Sequence, residues 1–220
     1  MPSTKIRDRD LVACIDYMKH HHEGQIRKVT NAPYYMHPLG VLELMEESPF
    51  FFATRDKMAA LLHDIREDSP GFSWTEVRRL WGNYVVGAVC LLSKGKLGET
   101  NNAIYFMMLR LAHPNIIGIK LLDRIQNTSD YNAISNVPWL KKYLSETTEH
   151  VLPLIQIMVA NGERVLGGFY ELGVWIEDRL QNNLHGMQAR IFELEETSRV
   201  DKKKGKKSKK NSKVKALPRL

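Results

Sequence analysis

The sequence has few cysteines and no long apolar run. Its two cysteines, Cys14 and Cys90, lie in mostly apolar stretches. Neither belongs to a short Cys or His pairing typical of a zinc site, so both are predicted to be buried thiols. No run of about 18 apolar residues could cross a bilayer, and MPSTKIRDRDL at the N-terminus lacks the apolar core of a signal peptide. We therefore expect a soluble, cytoplasmic protein with no membrane partner.

An excess of positive charge is also missing from most of the chain. The formal net charge is +7, but ten basic residues and one acid lie in residues 201–220, DKKKGKKSKKNSKVKALPRL. The rest of the chain holds 22 basic and 24 acidic residues. A tail over 199–220 is predicted to be disordered, because its like charges repel and it has no apolar period. It serves solubility or loose anion binding in the simpler interpretation, and only this tail could bind nucleic acid.

Alternating strand patterns and tight Asn-Gly or Asp-Gly turns are absent, whereas helical spacing runs from end to end. The sequence therefore predicts an all-α fold, a helical bundle in one domain over residues 1–198. Capping residues, prolines and glycines predict the helix boundaries. The predicted helices span 5–22, 37–47, 54–68, 73–81, 84–93, 101–112, 115–129, 138–160 and 163–198.

The last predicted helix carries one long apolar stripe with steps of three and four residues. Such a stripe is typical of a terminal helix packed on its own domain, and a helical arm for self-association is the alternative. The stripe consists of Val165, Phe169, Leu172, Ile176, Leu180, Leu184, Met187, Ile191 and Leu194.

Charge gathers at the end of an apolar helix in MAALLHDIREDSPG, residues 58–71. At helical spacing His63 lies beside Glu67, and Asp64 lies beside Asp68. An acid at a helix C-terminus destabilises the helix, and a charge near a helix end typically contributes about 0.3 to 1 kcal/mol. A bound cation would reverse that penalty, so the stretch indicates a cation site.

A second apolar run, IIGIKLLDRIQNTSDY at 116–131, is interrupted by Lys120, Asp123 and Asn127 on one helical face. Each polar group alone is compatible with a hydrogen bond inside a helix interface. Taken together with the first stretch, they predict the two halves of one pocket.

His37, at a helix start, completes a set of two histidines and two aspartates with His63, Asp64 and Asp123. Imidazole and carboxylate ligands suit Mn²⁺, Fe²⁺ or Zn²⁺, and an octahedral ion would keep two positions for water and substrate. Helical spacing does not establish that these groups converge, and a histidine before proline is also a common helix cap. The residues by themselves predict a metal-dependent phosphoester or phosphoanhydride hydrolase in which Glu67 and neighbouring Asp68 orient the attacking water or take its proton.

Five motifs, in order and spacing, resemble the hydrolase domain of Rel/SpoT-type alarmone enzymes, within the HD superfamily. The likeness spans roughly residues 11–135, and no synthetase or regulatory region follows, so the sequence resembles a stand-alone small alarmone hydrolase. The motifs are HHEGQIRK (21–28), APYYMHPLGV (32–41), MAALLHDIREDSP (58–70), LSK (92–94) and IKLLDRIQN (119–127).

This resemblance implies an all-α enzyme that removes the 3′-pyrophosphate of (p)ppGpp, giving GDP or GTP and pyrophosphate, with Mn²⁺ as cofactor. It implies metal ligation and water activation by the residues already singled out. It further implies that Arg27 stacks on the base beside Lys28, that Tyr34 belongs to the substrate site, and that Asn127 lies near the ribose. The implied metal ligands are His37, His63, Asp64 and Asp123, and the implied catalytic acids are Glu67 and Asp68.

Three departures from the family pattern bear on the substrate. The loop KVTNAP at 28–33 is one residue longer than the usual Lys-Ser-Gly-Glu-Pro form and lacks its glycine. Gln126 replaces a histidine, and Asp130 stands where a threonine is common. These changes leave open an adenosine alarmone such as (p)ppApp, or the 2′-phosphate of NADPH, as substrate. A different class, a nucleotide- or RNA-binding module that uses the basic tail, is the third interpretation.

Overall fold

The computed structural model describes the backbone of residues 8–94, 102–164 and 167–214, and the side chains of 9–94, 102–164 and 167–200. Within these ranges the chain is helical, and extended pairing is limited to one isolated bridge between Ile26 and Pro33. The predicted all-α fold is confirmed. The helices are α1 (Asp8–His21), α2 (Met36–Glu47), α3 (Thr54–Leu61), α4 (Ile65–Asp68), α5 (Trp74–Leu92), α6 (Asn102–Arg110), α7 (Pro114–Ser129), α8 (Val137–Glu146), α9 (Leu152–Gly162) and α10 (Phe169–Val214).

Two helical segments differ from their predicted bounds, and each difference has a clear cause in the backbone. The helices predicted over 73–81 and 84–93 form one element, α5, with a kink at Gly82. Gly82 has φ 83° and ψ 179°, a conformation that only glycine adopts readily. Ser73 caps α5 as predicted, because its Oγ accepts from the backbone N of Glu76.

The helix predicted over 138–160 is interrupted by a π-helical turn, Thr147–Val151, between α8 and α9. Pro153 follows this turn and has no N–H to offer, so a regular helical hydrogen bond cannot form there. The backbone N of Leu152 instead donates to the carbonyl of Thr147, five residues back.

Helix α7 lies at the centre of the bundle and packs against α2, α9 and α10. Its side chains are buried on nearly all sides, and these include Lys120, Asp123 and Arg124. Charged groups are almost never fully buried unless they are paired. Because α7 is central, its charged side chains lie in the interior of the bundle, where they are paired and where the candidate site forms.

The apolar stripe of α10 packs on its own domain, since its described residues from Phe169 to Ile191 are buried and Leu194 is partly buried. Helix α9 approaches closely at Gly173, where an added Cβ would lie 2.5 Å from Val159 Cγ2. Val165 and the predicted helix starts at residues 5 and 101 lie outside the described residues.

The backbone of α10 continues to Val214, past the predicted boundary at residue 198. This differs from the expected disorder of the tail up to that point. Lysine is itself a good helix former, and like-charge pairs on a helix cost only about 0.2 to 0.5 kcal/mol each. Residues 215–220 lie outside the described residues, and the division into domain and tail stays a prediction.

The two cysteines differ in burial. Cys14 is buried as predicted, but Cys90 is exposed. Helix α5 turns Val89 towards the core, and the adjacent position points away from it, which apolar neighbours in sequence do not reveal. Among the helices described, none is both long and apolar enough to span a bilayer.

Candidate active site

The His63-Asp64 pair lies at a break between α3 and α4, not on the continuous helix predicted over 54–68. The Nδ1 of His63 donates to the carbonyl of Ala60 over 2.6 Å, the acceptor that Asp64 N would use in an unbroken helix. The carbonyl of His63 in turn accepts from Ser93 Oγ at 3.0 Å. The prediction of one continuous helix is therefore wrong, because side chains satisfy these carbonyls and the helix stops.

All four predicted metal ligands come together. His37 is in the first turn of α2, and Asp123 is on α7. His37 Nε2 lies 3.1 Å from His63 Nε2, 3.1 Å from Asp123 Oδ1 and 3.3 Å from Asp64 Oδ2. His63 Nε2 lies 3.1 Å from Asp64 Oδ2 and 3.4 Å from Asp123 Oδ1. Both histidines are only 1% exposed, and Asp123 is 4% exposed.

Hydrogen bonds on the far side of each imidazole determine which nitrogen faces the cluster as an acceptor. His63 Nδ1 must donate, because its partner is a backbone carbonyl. His37 Nδ1 lies 2.5 Å from Gln126 Oε1, which also accepts from Arg27 Nη1 and is thereby the amide oxygen. In their neutral forms both Nε2 atoms therefore point lone pairs at each other and at two carboxylates. Four acceptors of this kind require a proton or a metal cation between them.

Proton affinities in the cluster reflect this need. Burial lowers the pKa of His63, but the charge of Asp64 and hydrogen bonds to both aspartates outweigh it, so that its pKa is well above the ordinary value. The pKa of His37 is raised for similar reasons, against the effect of its burial. Burial raises the pKa values of the two aspartates, yet His63 holds Asp64, and Lys120 holds Asp123, well below the usual range. Without a metal ion, protons on the histidines would balance the two carboxylates, and a metal ion would displace them.

The spacing of the donor atoms fits a divalent ion. Ligand atoms at right angles about an ion, with bonds of about 2.2 Å, lie about 3.1 Å apart. The measured separations, from 3.1 to 3.4 Å, are close to that distance. His37, His63 and Asp123 also form a mutual set whose donor atoms all lie within 4.8 Å of one another. The cluster is a candidate divalent-metal site.

The two acids of α4 occupy different environments. Glu67 lines a polar pocket of about 370 Å³ that reaches Asp64 and Asp123, and its Oε1 accepts from the backbone N of Lys94. Burial and the nearby charge of Asp64 raise the pKa of Glu67. Asp68 is more exposed and lies outside the residues that line this pocket, although burial and Asp64 raise its pKa as well. Glu67 is thus the acid that faces the pocket.

The predicted substrate residues are only partly in the pocket. Tyr34 and Asn127 line it, but both also bond metal-site carboxylates. Tyr34 OH donates to Asp64 Oδ2 at 2.8 Å, and Asn127 Nδ2 donates to Asp123 Oδ1 at 2.6 Å. Arg27 is enclosed, with an 11% exposed side chain, while Lys28 is exposed to solvent. The structure therefore brings Tyr34, Asn127 and Arg27 to the metal site and leaves Lys28 apart.

Sequence reasoning missed most of the opposite pocket wall. Trp139 and Tyr143 of α8 stack with ring centroids 4.3 Å apart and line the pocket together with Lys142 and Glu146. An aromatic pair spaced by four residues beside a lysine was a usable signal. Glu146 pairs with Arg124 of α7, and no local pattern indicates a pairing over that sequence separation.

The all-α bundle gathers two histidines and two aspartates beside a polar pocket and so holds a candidate divalent-metal site. The GTP pyrophosphokinase of Streptomyces antibioticus is 37% identical over 139 residues, which cover 60% of this chain and 16% of that protein. The bifunctional (p)ppGpp synthase/hydrolase SpoT of Escherichia coli K12 is 33% identical over 114 residues, 48% of this chain and 16% of SpoT. The guanosine-3′,5′-bis(diphosphate) 3′-pyrophosphohydrolase of Aquifex aeolicus is 30% identical over 190 residues, 84% of this chain and 24% of that enzyme.

A solved structure shares the fold. It is described as a metazoan ortholog of SpoT that hydrolyzes ppGpp, and it matches with a TM-score of 0.63 and 20% identity over 83% of this chain and 97% of that one. No protein-family model matches the chain. The chain spans less than a quarter of the length of these curated relatives. The chain is thus similar in sequence to Rel/SpoT-type enzymes and shares the fold of a SpoT ortholog, which confirms the resemblance predicted from its motifs.

Proposed function

We propose that this domain removes the 3′-pyrophosphate of guanosine alarmones, converting (p)ppGpp into GDP or GTP and pyrophosphate with Mn²⁺ in the site. The observation that carries the proposal is the convergence of His37, His63, Asp64 and Asp123 beside a pocket that Glu67 also lines. The activities for which the Escherichia coli and Aquifex aeolicus relatives are named support the substrate class. The ligand set of imidazole and carboxylate supports a first-row divalent ion such as Mn²⁺.

His37, His63, Asp64 and Asp123 would hold the metal. Mn²⁺ held by these residues would lower the pKa of a bound water and would polarise a phosphoryl oxygen. Glu67 takes the proton of the attacking water, since its raised pKa makes its carboxylate a stronger base than an exposed glutamate. The backbone N–H of Lys94 fixes one carboxylate oxygen of Glu67 and leaves the other for the water. Asp68, outside the pocket, would act as an orienting acid.

The pocket wall offers positive charge to the substrate phosphates. Lys94, Lys120, Arg124 and Lys142 line it. Lys120 is held by Asp123 at 2.7 Å, and Arg124 is held by Glu146, so neither is a freely mobile side chain. Fixed cations of this kind stabilise charge that develops on phosphoryl oxygens without reorganising first.

The same site acting on (p)ppApp, or on the 2′-phosphate of NADPH, is the second candidate. The observation that favours it is Asp130, whose Oδ2 lies 3.4 Å from Nη1 of Arg27, the arginine expected at the base. A carboxylate there alters the charge that a purine edge would meet. A nucleotide- or RNA-binding role through the basic tail is the remaining alternative, and Glu67 has no evident purpose in a protein that only binds.

One panel of assays separates these candidates. Purified protein with Mn²⁺ is incubated with ppGpp, ppApp and NADPH, and released pyrophosphate and inorganic phosphate are measured. We expect pyrophosphate from ppGpp at the highest kcat/KM, and no product with Asp64→Ala. Preferential phosphate release from NADPH, or preferential turnover of ppApp, would replace the guanosine substrate. An absence of hydrolysis of all three would contradict the proposed enzyme.

A further inference from the structure

Arg27 makes contacts that a residue devoted to base stacking does not need. Its Nη1 donates to Gln126 Oε1 at 2.9 Å, and its Nη2 donates to Asn127 Oδ1 at 3.3 Å. Asp130 lies on the same side, 3.4 Å from Nη1. Guanidinium N–H groups donate in the plane of the group. The edge of Arg27 is therefore bound to the last turns of α7, while its faces are not used by these bonds.

The two amide side chains that Arg27 contacts, those of Gln126 and Asn127, also bond predicted metal ligands. Gln126 Oε1 also accepts from His37 Nδ1 at 2.5 Å, so one amide oxygen joins Arg27 to the imidazole of a predicted ligand. Asn127 Nδ2 donates to Asp123 Oδ1 at 2.6 Å, so one side-chain amide joins Arg27 to a second ligand. A single guanidinium thus fixes the groups that orient two ligands from different helices, α2 and α7.

The Gln126 side chain lies directly against Gly40 of α2. An added Cβ on Gly40 of α2 would lie 3.1 Å from both Cγ and Nε2 of Gln126. The absence of a side chain at residue 40 lets Gln126 pass between α2 and α7. Packing on one side and Arg27 on the other hold the amide in the orientation in which its oxygen faces His37.

We propose that Arg27 is a positioning residue for the metal centre, which acts through Gln126 on His37 and through Asn127 on Asp123. The inference rests on the metal site of the proposed function and extends it to the loop that carries Arg27. Groups that hydrogen-bond metal ligands typically change metal affinity by about 10- to 100-fold when they are replaced. Arg27 acts one step further out, so we expect a loss near the lower end of that range.

The direction of the change in Mn²⁺ affinity distinguishes a positioning role of Arg27 from a purely electrostatic effect of its charge. A guanidinium near the site repels a divalent cation, so removal of its charge alone would strengthen metal binding. Loss of positioning would weaken it. Lys28 is the matched control, since it carries the same charge on the same loop, is exposed, and has no described bond to Gln126 or Asn127.

The experiment is calorimetric titration of Mn²⁺ into metal-free full-length protein, with circular dichroism as a check of folding. We expect weaker binding, by about tenfold, in Arg27→Met, and a smaller loss in Arg27→Lys, which keeps the charge but cannot bridge both amides. Gln126→Leu should also weaken Mn²⁺ binding. In the double variant Arg27→Met with Gln126→Leu, the loss of binding free energy should be smaller than the sum of the losses in the two single variants. Lys28→Met should bind at least as tightly as the unaltered protein.

The outcomes distinguish the inference from the function on which it rests. If the unaltered protein binds no divalent ion, the proposed metal site itself is wrong. If it binds Mn²⁺ and Arg27→Met binds equally or more tightly, only the positioning role is overturned. If Arg27→Met folds, additive losses in the double variant with Gln126→Leu would refute a shared route. If Arg27→Met fails to fold, Arg27→Lys and Gln126→Leu decide the matter, and unchanged Mn²⁺ binding in both would overturn the positioning role.

Discussion

Replacement of Glu67 by glutamine tests the proposed chemistry with little change in structure. Glutamine has nearly the same size, and its Oε1 can still accept the hydrogen bond from Lys94 N. The turn around residues 93–94 should therefore stay in place. What the variant loses is the carboxylate that faces the pocket and the basicity that its burial raises.

The expected loss follows from the role. General-base catalysis typically contributes about 10²- to 10⁴-fold to the rate, which corresponds to about 3 to 5 kcal/mol of activation free energy. Asp64 and Asp123 line the same pocket but are held by His63 and Lys120, so their lowered pKa values make them poor substitutes as bases. We therefore expect kcat in Glu67→Gln to fall by at least about 100-fold.

The assay is pyrophosphate release from ppGpp at saturating Mn²⁺, with Mn²⁺ affinity measured separately by calorimetry. Asp68→Asn is the matched comparison, because it removes a neighbouring acid that does not line the pocket. We expect a clearly smaller loss of kcat in that variant. A Glu67→Gln enzyme that keeps its kcat within about threefold while it binds metal normally would refute the general-base role.

Three further perturbations have definite expected results. Removal of the metal with EDTA should reduce the free energy of unfolding more at about pH 9 than at about pH 6.5. Because the pKa values of His37 and His63 are raised in the folded state, their protonation stabilises the metal-free protein fully below about pH 6.5, and this contribution is lost as the pH rises through the raised values. An equal loss at both pH values, measured by urea unfolding, would contradict this. Gly82→Ala should lower the free energy of unfolding by about 1 to 3 kcal/mol, because φ 83° with ψ 179° strains any residue with a side chain even where the space is open. An unchanged unfolding midpoint would contradict the strain expected at this kink. Removal of residues 201–220 should leave kcat for ppGpp unchanged, whereas loss of turnover in a folded truncated protein would support a role of the tail in catalysis.

Residue type and helical spacing were sufficient for the fold class and for choosing four residues that the structure brings together, His37, His63, Asp64 and Asp123. Helix α7 illustrates why: its interrupted apolar pattern marked Lys120, Asp123 and Asn127 as one face, and that face does line the pocket. The apolar stripe of α10 likewise indicated a helix packed on its own domain. These features depend on local periodicity, which is present in the sequence itself.

The break between α3 and α4 was not predictable in the same way. It depends on His63 donating to the carbonyl of Ala60 and on Ser93 donating to the carbonyl of His63. The second of these contacts joins residues thirty positions apart, which helical spacing does not encode. The link from Arg27 through Gln126 to His37 has the same character, because it spans two helices and a loop.

The break also bears on the two roles proposed for this one short segment, metal binding and water activation. On an unbroken helix, the carbonyls of Ala60 and His63 would be used by the backbone, and the imidazole of His63 would not be tied at Nδ1. Tying Nδ1 leaves Nε2 to face His37, Asp64 and Asp123 as an acceptor. After the break, α4 restarts and carries Glu67 into the pocket wall beside the ligands. The fold therefore divides the charged end of MAALLHDIREDSPG into a turn that carries His63 and Asp64 and a helix that carries Glu67, which is the arrangement that the proposed metal-dependent hydrolysis requires.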